Sequence, residues 1–138
     1  MMKSVGLQDL VDCIVENHPY AWTWKPEVLR GWICFFAREG TLMVITKRGR
    51  KIDGLVMFRL VMKPEDGCGN SLNFDPEGSV IFVDFVYAPS AEIMRGLVIS
   101  AIQRIGRRET VAWERRGVLR VYRASQFVCH TLKEGTKV

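Results

Sequence analysis

The chain predicts an α/β (α+β) fold, a single domain with a mixed, twisted central sheet flanked by helices. Val80 to Tyr87 form a β-branched and aromatic run, VIFVDFVY, broken by one charge, and such a run fits a central strand buried on both faces. Pro89 ends that strand. From Ile93 onward Leu97, Val98, Ala101, Ile102 and Ile105 fall at helical spacing, so strand passes to helix across a tight turn that Ser90 is placed to cap. Upstream, the apolar runs TLMVIT and IDGLVMFRLVM flank a polar turn containing glycine, which makes an antiparallel hairpin. At 138 residues and 48% hydrophobic content, Met1 to Val138 read as one domain that buries a core without metal or disulfide help.

In chain order, Ser4 is placed to cap a first helix carrying Leu7, Leu10, Val11, Ile14 and Val15 on one face, and Asn17, His18 and Pro19 end it. Tyr20, Trp22 and Trp24 then alternate at period two, a pattern that covers a core edge or lines a pocket. Pro26 suits the first turn of a second helix, Glu27 its positive end and Gly40 its stop, with Val28, Leu29, Trp32, Ile33, Phe35 and Phe36 inward. The hairpin follows, with Gly54 read as a bulge in its second arm. Lys63 to Gly78 contains two proline-and-glycine turns and reads as a mobile loop before the central strand. After the central helix, Glu109 to Arg115 read as a strand, Gly117 opens a helix from Val118 to about Ser125, and Phe127 to Leu132 form a last strand. The core expected from these elements is Trp32, Phe35, Phe36, Leu55, Met57, Phe82, Val98, Ile102 and Tyr122.

Composition excludes several function classes. No window holds the roughly 18 apolar residues of a membrane span, and Gln8, Asp9 and Asp12 interrupt any signal core, so a soluble, cytoplasmic protein with no membrane contact is expected. Cys13, Cys34, Cys68 and Cys129 form no CxxC pair, which predicts reduced, mostly buried thiols and no metal site. The nucleophile-elbow, zinc-protease and phosphate-loop motifs are absent, and Cys129 and His130 point to opposite faces of a strand. The net charge is +5, yet Arg95, Arg104, Arg107, Arg108, Arg115, Arg116, Arg120 and Arg123 are opposed in that interval by Glu109 and Glu114 alone. Such an excess allows phosphate binding along a nucleic-acid backbone. Against it, the helical reading divides the charge between the solvent faces of two helices, and the basic KRGRK turn reads as a solvated hairpin tip.

The element order resembles that of the GNAT N-acetyltransferase superfamily. Phe85, Tyr87 and Pro89 before the helix of Met94 to Ile105 resemble its acyl-CoA-binding strand and helix. Tyr122, Gln126 and Phe127 stand where that family shows a tyrosine followed by Gly-Phe. The resemblance implies acetyl-CoA or another acyl-CoA as cofactor, held by Phe85, Val86, Tyr87, Arg95 and Gly96. It also implies acyl transfer from a thioester to an amine, with Asp84 or Glu114 as base and Tyr122 as acid. The residues themselves allow plainer roles: Asp84 satisfying a buried partner, Glu114 pairing with Arg115 or Arg116, Tyr122 packing in the core.

The turn after Pro89 departs from the family pattern. Ser90-Ala91-Glu92-Ile93-Met94 lacks the glycines that let a backbone approach a diphosphate, and Glu92 adds negative charge there. Three functions are therefore expected, in this order: a non-catalytic binding or assembly module with a degenerate cofactor loop, needing no cofactor and meeting a protein partner; an N-acyltransferase for an amine substrate; and a nucleic-acid-binding protein using residues 95–123.

Overall fold

Five strands form one mixed sheet in the order in which they occur along the chain: β1 (Leu42–Ile45), β2 (Gly54–Val61), β3 (Val80–Tyr87), β4 (Thr110–Arg115) and β5 (Val118–Arg123). Adjacent strands are antiparallel except β3 and β4, which are parallel and joined through helix α3 (Ala91–Ile105). Helices α1 (Leu7–Asn17) and α2 (Pro26–Glu39) precede the sheet and cover its other face. The computed structural model describes residues 5–47, 51–69 and 72–127. Ser4, the tip Arg48 to Arg50, and Cys129, His130 and most of the expected last strand lie outside them.

Local signals account for most boundaries. Pro26 occupies the first turn of α2, where its missing N–H costs nothing, and Gly40 ends the helix at φ +73, in the left-handed region. Ser90 caps α3, its hydroxyl accepting the Ile93 N–H at 3.2 Å. At α1 the N-cap is Gly6, whose N–H donates to Asp9 Oδ2 at 2.9 Å, so the first turn's own carboxylate closes it.

Alternation along the strands sorts the core into two layers. Leu55 and Met57 of β2 join Leu10, Ile14, Leu29, Ile33, Phe36 and Phe85 beneath α1 and α2. Val56 and Phe58 face the other way and meet Ile93 and Leu97 of α3. A third group, Val61, Val80, Phe82 and Ala112, continues the α1/α2 side of the sheet towards β4. Because α3 lies over β1 and β2, the strand buried along its whole length is β2, while central β3 leaves Val86 39% exposed.

Glycine lets α3 sit this close. A Cβ on Gly54 would collide with Ile93, and one on Gly96 would stand 2.9 Å from Ile45 Cδ1. The bulge expected at Gly54 is therefore a flat crossing point, and Gly54 pairs regularly with Ile45. The bulge lies in β3. Met57 pairs with Phe85 and Phe58 with Val83, which leaves Asp84 as the extra residue. Val80 and Phe82 before it and Phe85 and Tyr87 after it consequently all face the α1/α2 side.

The helix expected from Val118 to Ser125 is corrected. Val118–Arg123 is a strand joined to β4 by the two-residue turn Arg116–Gly117, at φ 54 and φ 77. Two consecutive positive φ values match the right-handed twist of a tight hairpin, and glycine at the second position makes it accessible. Val118, Val121 and Tyr122 favour extended backbone, and helical structure begins only at 124–127, which includes Phe127. Tyr122 is thus 43% exposed and not a core residue. Trp32, Phe35, Val98 and Ile102 are half-buried, while Phe36, Leu55, Met57 and Phe82 are buried as expected. Phe82, 4% exposed, roofs Gly67 and packs on the Arg59 guanidinium, so Phe82→Ala is expected to cost about 3–5 kcal/mol of unfolding free energy in a urea titration. A loss below about 1 kcal/mol would show that this layer is packed differently.

Candidate functional site

Arg59 is the single charge of β2 and is 1% exposed. A guanidinium so placed must be paired and hydrogen-bonded. Its Nε and one terminal nitrogen each donate to Asp84 carboxylate oxygens at 2.8 Å, a bidentate contact. Two further donors reach the Gly67 carbonyl at 2.6 Å and the Asn73 carbonyl at 3.3 Å, and Phe82 lies 5.3 Å beneath the ion. Burial pushes the Asp84 carboxyl above its ordinary value, and the Arg59 hydrogen bonds and charge oppose that shift. Both Asp84 oxygens accept hydrogen bonds from Arg59, which places the residue expected as a base in a buried ion pair. The same contacts tie the described residues of the 63–78 segment to the sheet. Arg59 holds the segment at Gly67 and Asn73, the Asp75 N–H donates to the Leu60 carbonyl at 2.8 Å, and Asn73 donates to the Asp66 carbonyl at 2.9 Å.

The bulge at Asp84 coincides with a parting of strands. The β3–β4 ladder pairs Val80–Phe82 with Thr110–Ala112 and stops, although β3 runs to Tyr87 and β4 to Arg115. A bulge bends its strand and increases the local twist, which carries the end of β3 away from β4. Openings at the carboxyl ends of parallel strands are where open α/β sheets take ligands. Here the five residues expected to hold a cofactor diverge. Phe85 and Tyr87 turn into the α1/α2 layer, and Val86 turns to the α3 side. Gly96 is consumed by packing on Ile45, and Arg95 is half-buried on the same helix. At the helix entry the Ser90 hydroxyl takes the Ile93 N–H, and the Glu92 carboxylate stands 3.7 Å from Lys47 Nζ. Two concavities of about 360 Å³, beside Ser79 and Arg108 and beside Met62 and Asn73, lie at the opposite end of β3.

The β4–β5 hairpin separates the remaining candidates. Cross-strand partners share a face, and Ala112 with Leu119 belong to the buried α1/α2 side. Glu114, paired with Leu119, therefore faces that side, near the Cys68 thiol. Burial pushes that thiol above its ordinary value, and Glu114 adds to the shift. Tyr122, paired with Val111, faces the α3 side. The expected base Glu114 and acid Tyr122 thus stand on opposite faces of one ribbon and do not converge on one substrate. Tyr122 stacks on Trp113 instead, with ring centroids 5.1 Å apart and planes inclined by 14°.

Three participants escaped sequence reading. Arg59 had a signal, as the lone cation in one apolar strand followed by the lone anion of the next. Trp113 was hidden by the helical reading of β5. His18, read only as a helix stop, is buried and its Nδ1 accepts the Ala21 and Tyr20 N–H groups at 3.1 and 3.3 Å. Tyr20, Trp24, Trp32 and Phe85 rings surround it at 4.6 to 6.0 Å; of the connector's aromatics Trp24 packs on the core edge, while Tyr20 and Trp22 are 58% and 67% exposed. Among the described residues no group of three or more potential metal ligands occurs. The described thiols are free; Cys13 is buried, Cys68 half-buried and Cys34 exposed.

Two outcomes follow from these groups. Asp84→Ala would strand a buried cation and is expected to cost about 3–5 kcal/mol, whereas Arg59→Met combined with Asp84→Leu should cost less than the summed single changes. Denaturant unfolding of Asp84→Ala, of Arg59→Met and Asp84→Leu singly, and of the double variant measures both, and additive losses would show that the two residues act separately. Burial lowers the His18 pKa below its ordinary 6.5, so the native state binds fewer protons than the unfolded chain. Its contribution is complete above that ordinary value and is lost as pH falls towards the folded value. Urea midpoints measured from about pH 7.5 to pH 5 should fall, and His18→Asn should flatten that part of the profile.

Comparison with protein-family models, with curated proteins and with solved structures returned no match.

Proposed function

We propose that this domain is a non-catalytic binding module on a GNAT-like fold. The observation that carries the reading is the entry to α3. Tight diphosphate binding needs several convergent N–H donors, little steric bulk and compensating positive charge. The chain offers a hydroxyl already engaged as a cap, a carboxylate at the second helical residue, and a glycine engaged in packing. The positive end of the helix is thereby partly neutralised by the protein's own groups. The opposed placement of Glu114 and Tyr122 adds a second obstacle to acyl transfer through those residues. Free thiols at Cys13, Cys34 and Cys68 support a cytoplasmic setting.

Among the described residues the ends of β3 and β4 do not pair with each other, which favours a second reading, in which an extended, amide-bearing acyl-CoA arm pairs with the β4-facing edge of β3. Calorimetric titration with coenzyme A separates the two. Binding weaker than about 1 mM, equivalent to roughly −4 kcal/mol, is the expected result. A micromolar isotherm that disappears in Arg95→Ala would overturn the binding-module reading and install the acyltransferase.

A further inference from the structure

We propose that the α3-side face of the β4–β5 hairpin binds single-stranded nucleic acid, with the Trp113–Tyr122 pair as its stacking platform. This deepens the binding-module reading and rests on it. The register brings together residues that a helix would have scattered. Trp113 pairs with Arg120, Val111 with Tyr122 and Arg115 with Val118, and alternation places all six on one face. Among the described residues α3 lies over β1 and β2 and not over this end of the face, where Phe127 packs against Trp113 with ring centroids 5.8 Å apart, Tyr122 is 43% and Val118 55% exposed, and Arg115 and Arg120 are exposed beside them. Arg116 projects from the turn at their edge. Among the described residues, Arg115, Arg116 and Arg120 form no ion pair.

The chemistry of this surface selects its occupant. The exposed Tyr122 ring of the pair accepts a base of any sequence, while Arg120 two residues along its own strand and Arg115 two residues along from Trp113 meet the phosphates. A duplex hides its bases from such a platform, and an acidic peptide has no ring to stack. Glu114 points through to the opposite face, so no carboxylate is interposed between the arginines. Arg123, paired with Thr110, also faces away and takes no part.

Fluorescence anisotropy with a labelled single strand of about 15 nucleotides, as DNA and as RNA, tests the proposal, with the matching duplex as comparison. Either strand should bind at low salt and at least tenfold more tightly than the duplex. Tyr122→Ala should weaken binding about tenfold or more, while Tyr122→Phe keeps the ring and the affinity. Replacing Arg115 and Arg120 by Ala should make the slope of log affinity against log salt shallower by about 1.4. Unchanged thermal midpoints certify the variants, all of which alter exposed side chains. Absence of binding at low salt, equal affinity for the duplex, or indifference to Tyr122→Ala would each overturn the proposal. None of those results bears on coenzyme A, whose titration judges the binding-module reading separately.

Discussion

A cation with no route to water organises this sheet. Arg59 sits in the middle of the strand that both layers of helices bury, and its charge has to be met inside the protein. Asp84 meets it from the neighbouring strand, and two carbonyls of residues 63–78 take two further donors. The long connection between β2 and β3 is therefore held by the arginine it covers. Apolar residues of similar volume often match or exceed such a pair in stability, so its worth lies in fixing one arrangement of strand, bulge and loop.

The bulge turns this internal requirement into external shape. With Asp84 inserted, Phe85 and Tyr87 rejoin the face of Phe82, and the α1/α2 layer gains an aromatic contact with buried His18. The same extra residue bends β3 where its ladder with β4 ends. One carboxylate on the wrong side of the alternation would take from Arg59 its bidentate partner. One residue fewer would turn Phe85 out of the layer it helps to close.

Legibility in the sequence tracked how local each signal was. The cap at Ser90, the stop at Gly40, the proline start of α2 and the first hairpin depend on neighbours within a few residues, and the structure has them all. The bulge depends on which residue of β2 faces which residue of β3, and no local pattern reports that register. At residues 118–123 the failure was one of length: six residues with apolar positions at 118, 119, 121 and 122 fit either a short helix or a strand. The deciding signal was Arg116–Gly117, two residues between runs of equal length, with β-branched and aromatic side chains in the second run. Of the site, the strand, the following helix and Tyr122 were legible as positions, but which face each side chain occupies was not.

That difference of face changes what the basic segment can do. Wound as a helix, Arg115, Arg116, Arg120 and Arg123 would be spread around an axis with Tyr122 packed inward. Laid out as a strand, they are sorted by parity: Arg120 joins Arg115 and the stacked rings, and Arg123 goes to the other side with Glu114. Gly54 and Gly96 complete the arrangement from a distance, because the close seating they allow holds α3 over β1 and β2. The open aromatic and basic face at β4–β5 is thus a consequence of where the opposite end of the sheet is packed. Among the described residues it arises at the end of the α3 side that the helix does not cover, which leaves the Tyr122 ring and the arginines beside it accessible together.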